Sequence, residues 1–227
     1  MGIKTIFFDA DGTLLDFRKA ENKALTGLKD FMGSDLSQED FIKTYHKIND
    51  RIWMELEEGS ITAAELKQER FHRFAAAMKS KVSARELSEF YLRALGQGCF
   101  YLKDAQNLLK ALQEDFPMAM ITNGLTAVQE ARFEALGFYD LFTEILISET
   151  EGIAKPDPEI FKRAAQRMGV PLNKEILMVG DSLSSDIAGG IAAGISTCWY
   201  NPGVWENHSS HKADYEIQSL MEILEIL

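Results

Sequence analysis

Ile6-Phe7-Phe8-Asp9-Ala10-Asp11-Gly12-Thr13-Leu14-Leu15 is the stretch from which the rest of the 227-residue chain is read. Residues 5–8 form a β-branched and aromatic run, too short for a helix and followed by the turn-forming pair Asp11-Gly12, which predicts a buried strand. The carboxyl end of that strand delivers two acids. Side chains alternate along an extended chain, so two carboxylates separated by one residue point the same way. Like charges that close raise one pKa, recruit a cation, or do both. Asp11-Gly12 also suits a plain turn and Asp9 a strand-end cap, so the pair acquires meaning only from partners elsewhere in the chain.

Those partners arrive after Phe100, where the pattern alternates between short apolar runs and helical periodicity. Residues 118–121, 145–147, 176–179 and 196–200 read as strands. Between them, Ala105, Leu108, Leu109 and Leu112 mark one helix, Val128, Ala131 and Ala135 a second, and Phe161, Ala164, Ala165 and Met168 a third. Asp157-Pro158 reads as an N-cap followed by proline at the first helical position. Ser219 and Glu222 suit a capping box for a last helix burying Leu220, Ile223, Leu224 and Leu227.

From Asp16 to about Gly98 the pattern is helical instead. Its stripes are Tyr45, Ile48, Ile52 and Leu56; Phe71, Phe74, Ala75 and Met78; and Leu87, Phe90, Tyr91 and Ala94. Glu57-Glu58-Gly59-Ser60 interrupts the first two, while Gly96 and Gly98 close the region as a candidate hinge. The expected organisation is an α/β core of residues 1–15 and 100–227 with a small all-helical domain, residues 16–99, inserted into it.

Alternating strands and helices imply a doubly wound, Rossmann-like parallel sheet, because consecutive parallel strands require crossover connections. Ligands of such sheets bind beyond the carboxyl ends of the strands. That rule gathers Asp9 and Asp11, Thr122-Asn123-Gly124, and Gly180-Asp181-Ser182 on one rim. The dinucleotide fingerprint GxGxxG is absent, and Gly189, Gly190 and Gly194 read as residues that permit close helix–sheet packing.

Composition narrows the partners. A formal net charge of −11 disfavours a nucleic-acid polymer or an anionic membrane. Cys99 and Cys198 are too few for a disulfide framework, and no cysteine–histidine cluster has zinc spacing; His208 and His211 read as solvated loop residues. Met1-Gly2 runs straight into the first strand without a signal-type hydrophobic region, and no apolar run approaches a membrane span, so a cytoplasmic protein is expected.

Asp9, Asp11 and Asp181 are hard oxygen donors of the kind Mg²⁺ accepts. With Lys155 and one Mg²⁺ they sum to zero formal charge, which lets a phosphate dianion enter and its transferring oxygens be stabilised. The Thr122 hydroxyl and the backbone N–H groups of Asn123 and Gly124, at a strand-to-helix junction, suit a phosphate cradle as well as a turn. Asp9 is the candidate nucleophile and Asp11 the candidate acid and base, protonating the leaving alcohol and later deprotonating water. Lys155 equally suits a solvated loop, and Asp181 and Asp186 suit helix caps.

Taken in order, Asp9-Ala10-Asp11-Gly12-Thr13, Thr122-Asn123-Gly124, Lys155-Pro156 and Gly180-Asp181-Ser182-Leu183-Ser184-Ser185-Asp186 resemble the four motifs of the haloacid dehalogenase superfamily. The resemblance spans the whole chain. It implies that Asp9 is nucleophile and metal ligand, that Asp11 is acid/base and ligates Mg²⁺ through its main-chain carbonyl, and that Thr122 and Lys155 hold the phosphoryl group. It further implies that Asp181 ligates the metal, that Asp186 supports its water shell, and that the helical insert is a cap.

With Asp11 the pattern resembles the phosphatase branch of that superfamily, whose dehalogenases lack an acid there. Within that branch it is similar to bacterial pyrimidine 5′-nucleotidases. The similarity rests on Trp53 before Glu58-Gly59-Ser60-Ile61-Thr62, on Ile121-Thr122-Asn123-Gly124, and on Ser148-Glu149 before Gly152-Ile153-Ala154-Lys155-Pro156-Asp157. Residues 177–190 and Thr197-Cys198-Trp199 complete it.

The expected function is therefore a Mg²⁺-dependent phosphomonoesterase acting through an aspartyl-phosphate, with a nucleoside 5′-monophosphate as substrate and a monomer or small homo-oligomer as the assembly. A sugar-phosphate or phosphoglycolate phosphatase, a phosphomutase, and a module that only binds a phosphorylated metabolite are the alternatives. Trp53 lies beside the Tyr45-Ile48-Ile52-Leu56 stripe. It either stacks on a base or sugar or widens the buried face of its helix. Phe17 and Arg18, just after the first motif, are further substrate-contact candidates.

Overall fold

The computed structural model describes residues 2–58 and 60–227, except for the side chains of residues 56, 57, 63, 64 and 67. Gly59 of the helix-breaking run lies outside the described residues, and the Leu56 end of the first helical stripe outside the described side chains. The chain divides into two compact units: Met1–Phe17 with Cys99–Leu227, and Arg18–Gly98.

The helical unit is built from α1 (Phe17–Met32), α2 (Gln38–Glu57), α3 (Ala63–Ala77) and α4 (Ala84–Gly96). Its core is aromatic. Phe41, Tyr45, Phe71, Phe74 and Tyr91 are all buried, with the Tyr45 ring edge-on to Phe74 at 5.5 Å and Phe71 5.4 Å from Tyr91. Rings at these separations add to the burial of large apolar area. Capping boxes Thr62/Glu65 and Ser83/Glu86 start α3 and α4, each satisfying otherwise orphaned backbone donors.

The other unit is the α/β layer structure. Its strands are β1 (Thr5–Phe8), β2 (Met118–Thr122), β3 (Glu144–Ile147), β4 (Ile176–Gly180), β5 (Ser196–Tyr200) and β6 (Tyr215–Ile217). All pair in parallel in the order β3-β2-β1-β4-β5-β6. The chain steps outward from β1 to β3, then returns to the other side of β1, so the crevice of such a sheet opens beside β1. The first five strands agree with the apolar runs of the sequence. β6 was not expected: it is three residues long with only Ile217 buried, too short for a pattern to emerge.

Alternation along β1 divides the core between the faces of the sheet. Ile6 and Phe8 join Leu108 and Leu112 of α5 (Ala105–Leu112) and Phe133 of α6 (Thr126–Leu136). Phe7 joins the other face. There α9 (Pro158–Met168) buries Ile160, Phe161 and Ala164 with Phe7; it follows the single turn α8 (Ser148–Glu151) and, earlier in the chain, the short helix α7 (Phe138–Leu141), whose Phe138 packs with Ile6 and Phe8. Asp157 caps α9 by accepting from Glu159 N–H, with Pro158 at its first position as the sequence indicates.

Two helical faces differ from expectation. On α6 the sequence stripe was Val128, Ala131 and Ala135, but Ala131 and Ala135 are exposed, and Val128, Gln129, Arg132 and Phe133 face inward. Alanine is too small to decide a face; Phe133 does, and it carries two polar residues in with it. At the C-terminus the Ser219/Glu222 capping box is present, but it opens a 3₁₀ turn, Leu220–Glu222, continued by the short helix Ile223–Ile226. With three residues per turn Leu220 and Ile223 share a face, and Leu224 is turned out to solvent.

After β4 a π-helical turn, Leu183–Ile187, runs into α10 (Ala188–Ala193). Gly190 does pack on the sheet, against Thr197. Gly189 instead faces Phe161 and Pro156, and Gly194 ends the helix at φ +74°. At the mouth of the insert the backbone pairs with itself: Asp16 N–H donates to Phe100 O at 2.8 Å and Leu102 N–H to Leu14 O at 2.9 Å. Among the described residues no helix is long and apolar enough to cross a membrane.

A Cβ at Gly189 would lie 2.5 Å from the Phe161 ring and 3.1 Å from Pro156 Cα. Alanine gains about 1 kcal/mol over glycine in a helix, but overpacking costs about 1–3 kcal/mol and here meets backbone as well as a ring. Gly189→Ala is expected to lower the denaturant midpoint at unchanged slope; a raised midpoint would show that α9 and α10 yield.

Candidate active site

β1 ends at Phe8, and Asp9 N–H continues the ladder by donating to Val179 O at 2.9 Å. The chain then turns sharply, Leu14 and Leu15 N–H both returning to Ala10 O. Gly12 makes the turn at φ +89°, where a Cβ would also overlap the Asp181 carboxylate. The first motif and the loop after β4 are thus pressed together at the crevice. The Asp9 carboxylate is fixed at both oxygens: Oδ1 by Lys155 Nζ at 2.6 Å and Oδ2 by the Thr13 hydroxyl at 3.2 Å.

Lys155 is the hub. Its buried ammonium donates to Asp9 Oδ1 and to Ile121 O, each at 2.6 Å, and is ion-paired with Asp186 Oδ1 at 2.7 Å. Burial by itself would lower the lysine pKa, but Asp186 and Asp9 more than offset it and hold the group charged. The backbone of Lys155 is clamped by the side chain of Asn123, which donates from Nδ2 to Lys155 O at 2.8 Å and accepts Lys155 N–H at 2.9 Å. The side-chain amide of Asn123 thus places the lysine loop. The Lys155-Pro156 peptide is cis.

Asp186 projects from the π-helical turn and is buried, its Oδ2 accepting Ser182 N–H at 3.0 Å. Burial raises its pKa and Lys155 opposes the rise. Burial also raises Asp181, to about 7, with the charges of Asp9 and Asp186 adding to the effect. The Asp181 backbone is steadied by Trp199, whose indole N–H donates to its carbonyl at 2.9 Å. One carboxylate oxygen from each of Asp9, Asp181 and Asp186 lies within 4.8 Å of the others.

Thr122 closes β2 and is buried. Its hydroxyl oxygen accepts Gly124 N–H at 3.1 Å and Gln129 Nε2–H at 2.9 Å, which occupies both lone pairs and leaves the O–H to donate. Asp11 turns to α6 instead of the carboxylate group: Arg132 Nη1 reaches its Oδ1 at 2.6 Å and Gln129 Nε2 its Oδ2 at 2.8 Å. Burial raises the Asp11 pKa, against the lowering effect of Arg132.

Asp9, Asp11, Thr122, Asn123, Gly124, Lys155, Asp181 and Asp186 all line one open pocket, joined by Phe17, Ser182 and Ser185. Arg18 and Trp53 belong to the helical unit; Trp53 is 45% exposed, so it does not widen the buried face of α2. Gln129, Arg132 and Trp199 escaped sequence reading as parts of the site. Phe133 with Leu136, three apart on α6, held the signal for the first two, since that phase turns Gln129 and Arg132 inward.

The donor set fits a divalent cation. Arg132 neutralises Asp11, so Asp9, Asp181 and Asp186 face Lys155 alone, an excess of two negative charges on hard oxygen donors. Water-filled coordination positions and an entering anion then complete the kind of shell that Mg²⁺ keeps.

The chain is 36% identical to pyrimidine 5′-nucleotidase YjjG of Escherichia coli K12, over 98% of this chain and 96% of that one. It is also 36% identical to pyrimidine 5′-nucleotidase PynA of Streptococcus pneumoniae R6, over 100% and 96%. The magnesium-bound structure of YfnB from Bacillus subtilis, described as revealing interdomain movement, superposes with a TM-score of 0.91 at 33% identity, covering 100% of this chain and 99% of that one. Residues 3–194 match the family model described as haloacid dehalogenase-like hydrolase, and the chain belongs to that family.

Proposed function

We propose that this hydrolase is a Mg²⁺-dependent phosphomonoesterase that removes the phosphate of nucleoside 5′-monophosphates, pyrimidine nucleotides foremost. The observation that carries the proposal is the convergence of three carboxylate oxygens within 4.8 Å beside a buried lysine, with Asp11 lining the same pocket. The nucleotide preference is supported by the two pyrimidine 5′-nucleotidases that align along nearly the whole chain.

In this scheme Asp9, Asp181 and the main-chain carbonyl of Asp11 would hold the cation, and Asp186, whose carboxylate oxygen lies within 4.8 Å of those of Asp9 and Asp181, would support its water shell. When bound, it neutralises charge on the phosphoryl oxygens. Lys155 and the Thr122 hydroxyl hold the phosphoryl group. A carboxylate oxygen of Asp9 attacks phosphorus while the bond to the leaving oxygen breaks, and Asp11 delivers the proton that oxygen needs. Water then attacks the aspartyl-phosphate, Asp11 takes its proton, and Asp9 is released with inorganic phosphate. Lys155 and Thr13, by fixing both oxygens of Asp9, set the plane from which it attacks. Residues Arg18–Gly98 act as the cap that resemblance implies.

Phosphate release from a panel of nucleotides and sugar phosphates tests the proposal. Turnover of uridine 5′-monophosphate is expected to vanish with a chelator and return with Mg²⁺, and Asp9→Asn is expected to reduce it by more than about 10³-fold. Faster turnover of sugar phosphates would overturn the nucleotide preference, and metal-independent turnover the scheme itself.

Crowding of the carboxylates has a separate thermal signature. Asp181→Asn removes one like charge from the group, which in chelator is expected to stabilise the fold by about 1 kcal/mol after allowance for solvent screening, or about 2–4 °C in melting temperature. The rise that Mg²⁺ gives the native chain is expected to shrink in the same variant. An unchanged Mg²⁺ response in Asp181→Asn would remove Asp181 from the cation site.

A further inference from the structure

Arg132 is fully buried on α6, yet only one of its three guanidinium nitrogens is engaged. Nη1 donates to Asp11 Oδ1 at 2.6 Å and to Gln129 Oε1 at 3.2 Å, whereas Nε and Nη2 have no hydrogen-bond partner among the described residues. Burying a guanidinium with unmet donors is unfavourable, and an apolar side chain of similar volume would serve packing better. Packing therefore does not account for the residue. What its charged end touches is Asp11.

Gln129 completes the arrangement. Its amide nitrogen spends one hydrogen on Thr122 Oγ1 at 2.9 Å and the other on Asp11 Oδ2 at 2.8 Å, while its oxygen accepts from Arg132. Both Asp11 oxygens are thus held by one helix, which Val128 and Phe133 anchor against the core. Asp11 itself stands on a turn, where its side-chain torsions would otherwise be free. Proton transfer needs the carboxyl within about 2.6–3.2 Å of the leaving oxygen, so its direction matters.

We propose that Arg132 is a positioning residue for Asp11, with Gln129 as the brace that ties Asp11 to Thr122. Departure of an alcohol, whose oxygen must take the Asp11 proton as its bond to phosphorus breaks and the bond from Asp9 forms, then depends on Arg132. Departure of a dinitrophenolate, which leaves without a proton, depends on it far less. The inference rests on the phosphomonoesterase scheme and on Asp11 as its acid.

The test compares kcat/KM for uridine 5′-monophosphate and 2,4-dinitrophenyl phosphate, both with Mg²⁺, in the full chain. Arg132→Met is expected to lower the nucleotide value about 10²-fold further than the dinitrophenyl value, as loss of acid catalysis would. Arg132→Lys is expected to recover part of that difference, and in an Asp11→Asn background Arg132→Met is expected to cost much less than it does in the native chain. Gln129→Leu, a neutral change, is expected to shift the ratio in the same direction and carries the test should Arg132→Met not fold. Equal losses on both substrates, or an undiminished loss in the Asp11→Asn background, would overturn the proposal. If the unaltered chain turns over neither substrate, the phosphomonoesterase scheme falls, and this inference with it.

Discussion

A lysine ammonium with almost no access to water organises the α/β unit. Removing such a charge from solvent is costly unless opposite charge and acceptors surround it. Lys155 finds its partners on three separate segments: Asp9 after β1 and Ile121 within β2 as acceptors, and Asp186 after β4 as an ion-pair partner. Each contact is affordable only with the others in place. The buried charge therefore acts as a rivet through three neighbouring strand ends, and the Asn123 amide holds its loop in register.

Strand order explains why those ends are neighbours. β2, β1 and β4 are adjacent in the sheet, so the ladder spaces their carboxyl ends one strand apart. From there short turns suffice to aim side chains into one crevice. Asp9 follows β1 directly, Thr122 is the last residue of β2, and Asp181 follows Gly180, the last of β4. The apolar strands bear the stability, and a polar residue at or just beyond the end of each lines the pocket. Excess negative charge remains after Lys155 and Arg132 are counted, which is the electrostatic condition for recruiting a cation before an anion.

Much of this was legible in the residues because strands and their end-caps are local. A four-residue apolar run followed by Asp-Ala-Asp-Gly carries its own boundaries, and so does Asp157-Pro158 at the start of α9. Long-range partnerships are not local. Nothing adjacent to Asn123 announces that its amide will bracket Lys155, 32 positions away. Arg132 was masked differently: a charged residue close to Glu130 and Glu134 reads as solvent-facing, and only the phase set by Phe133 turns it inward. β6 escaped for a third reason, since pairing with β5 and not its own periodicity makes it a strand.

The paired backbone at the mouth of the insert has a consequence for descent. Asp16 meets Phe100, and Leu14 meets Leu102, so the α/β unit is sealed at the very place where 81 residues, Arg18–Gly98, leave and return. Seen from the sheet, that excursion is a single surface loop. Evolution is free to lengthen, shorten or replace the loop's contents while the rivet in the sheet stays untouched.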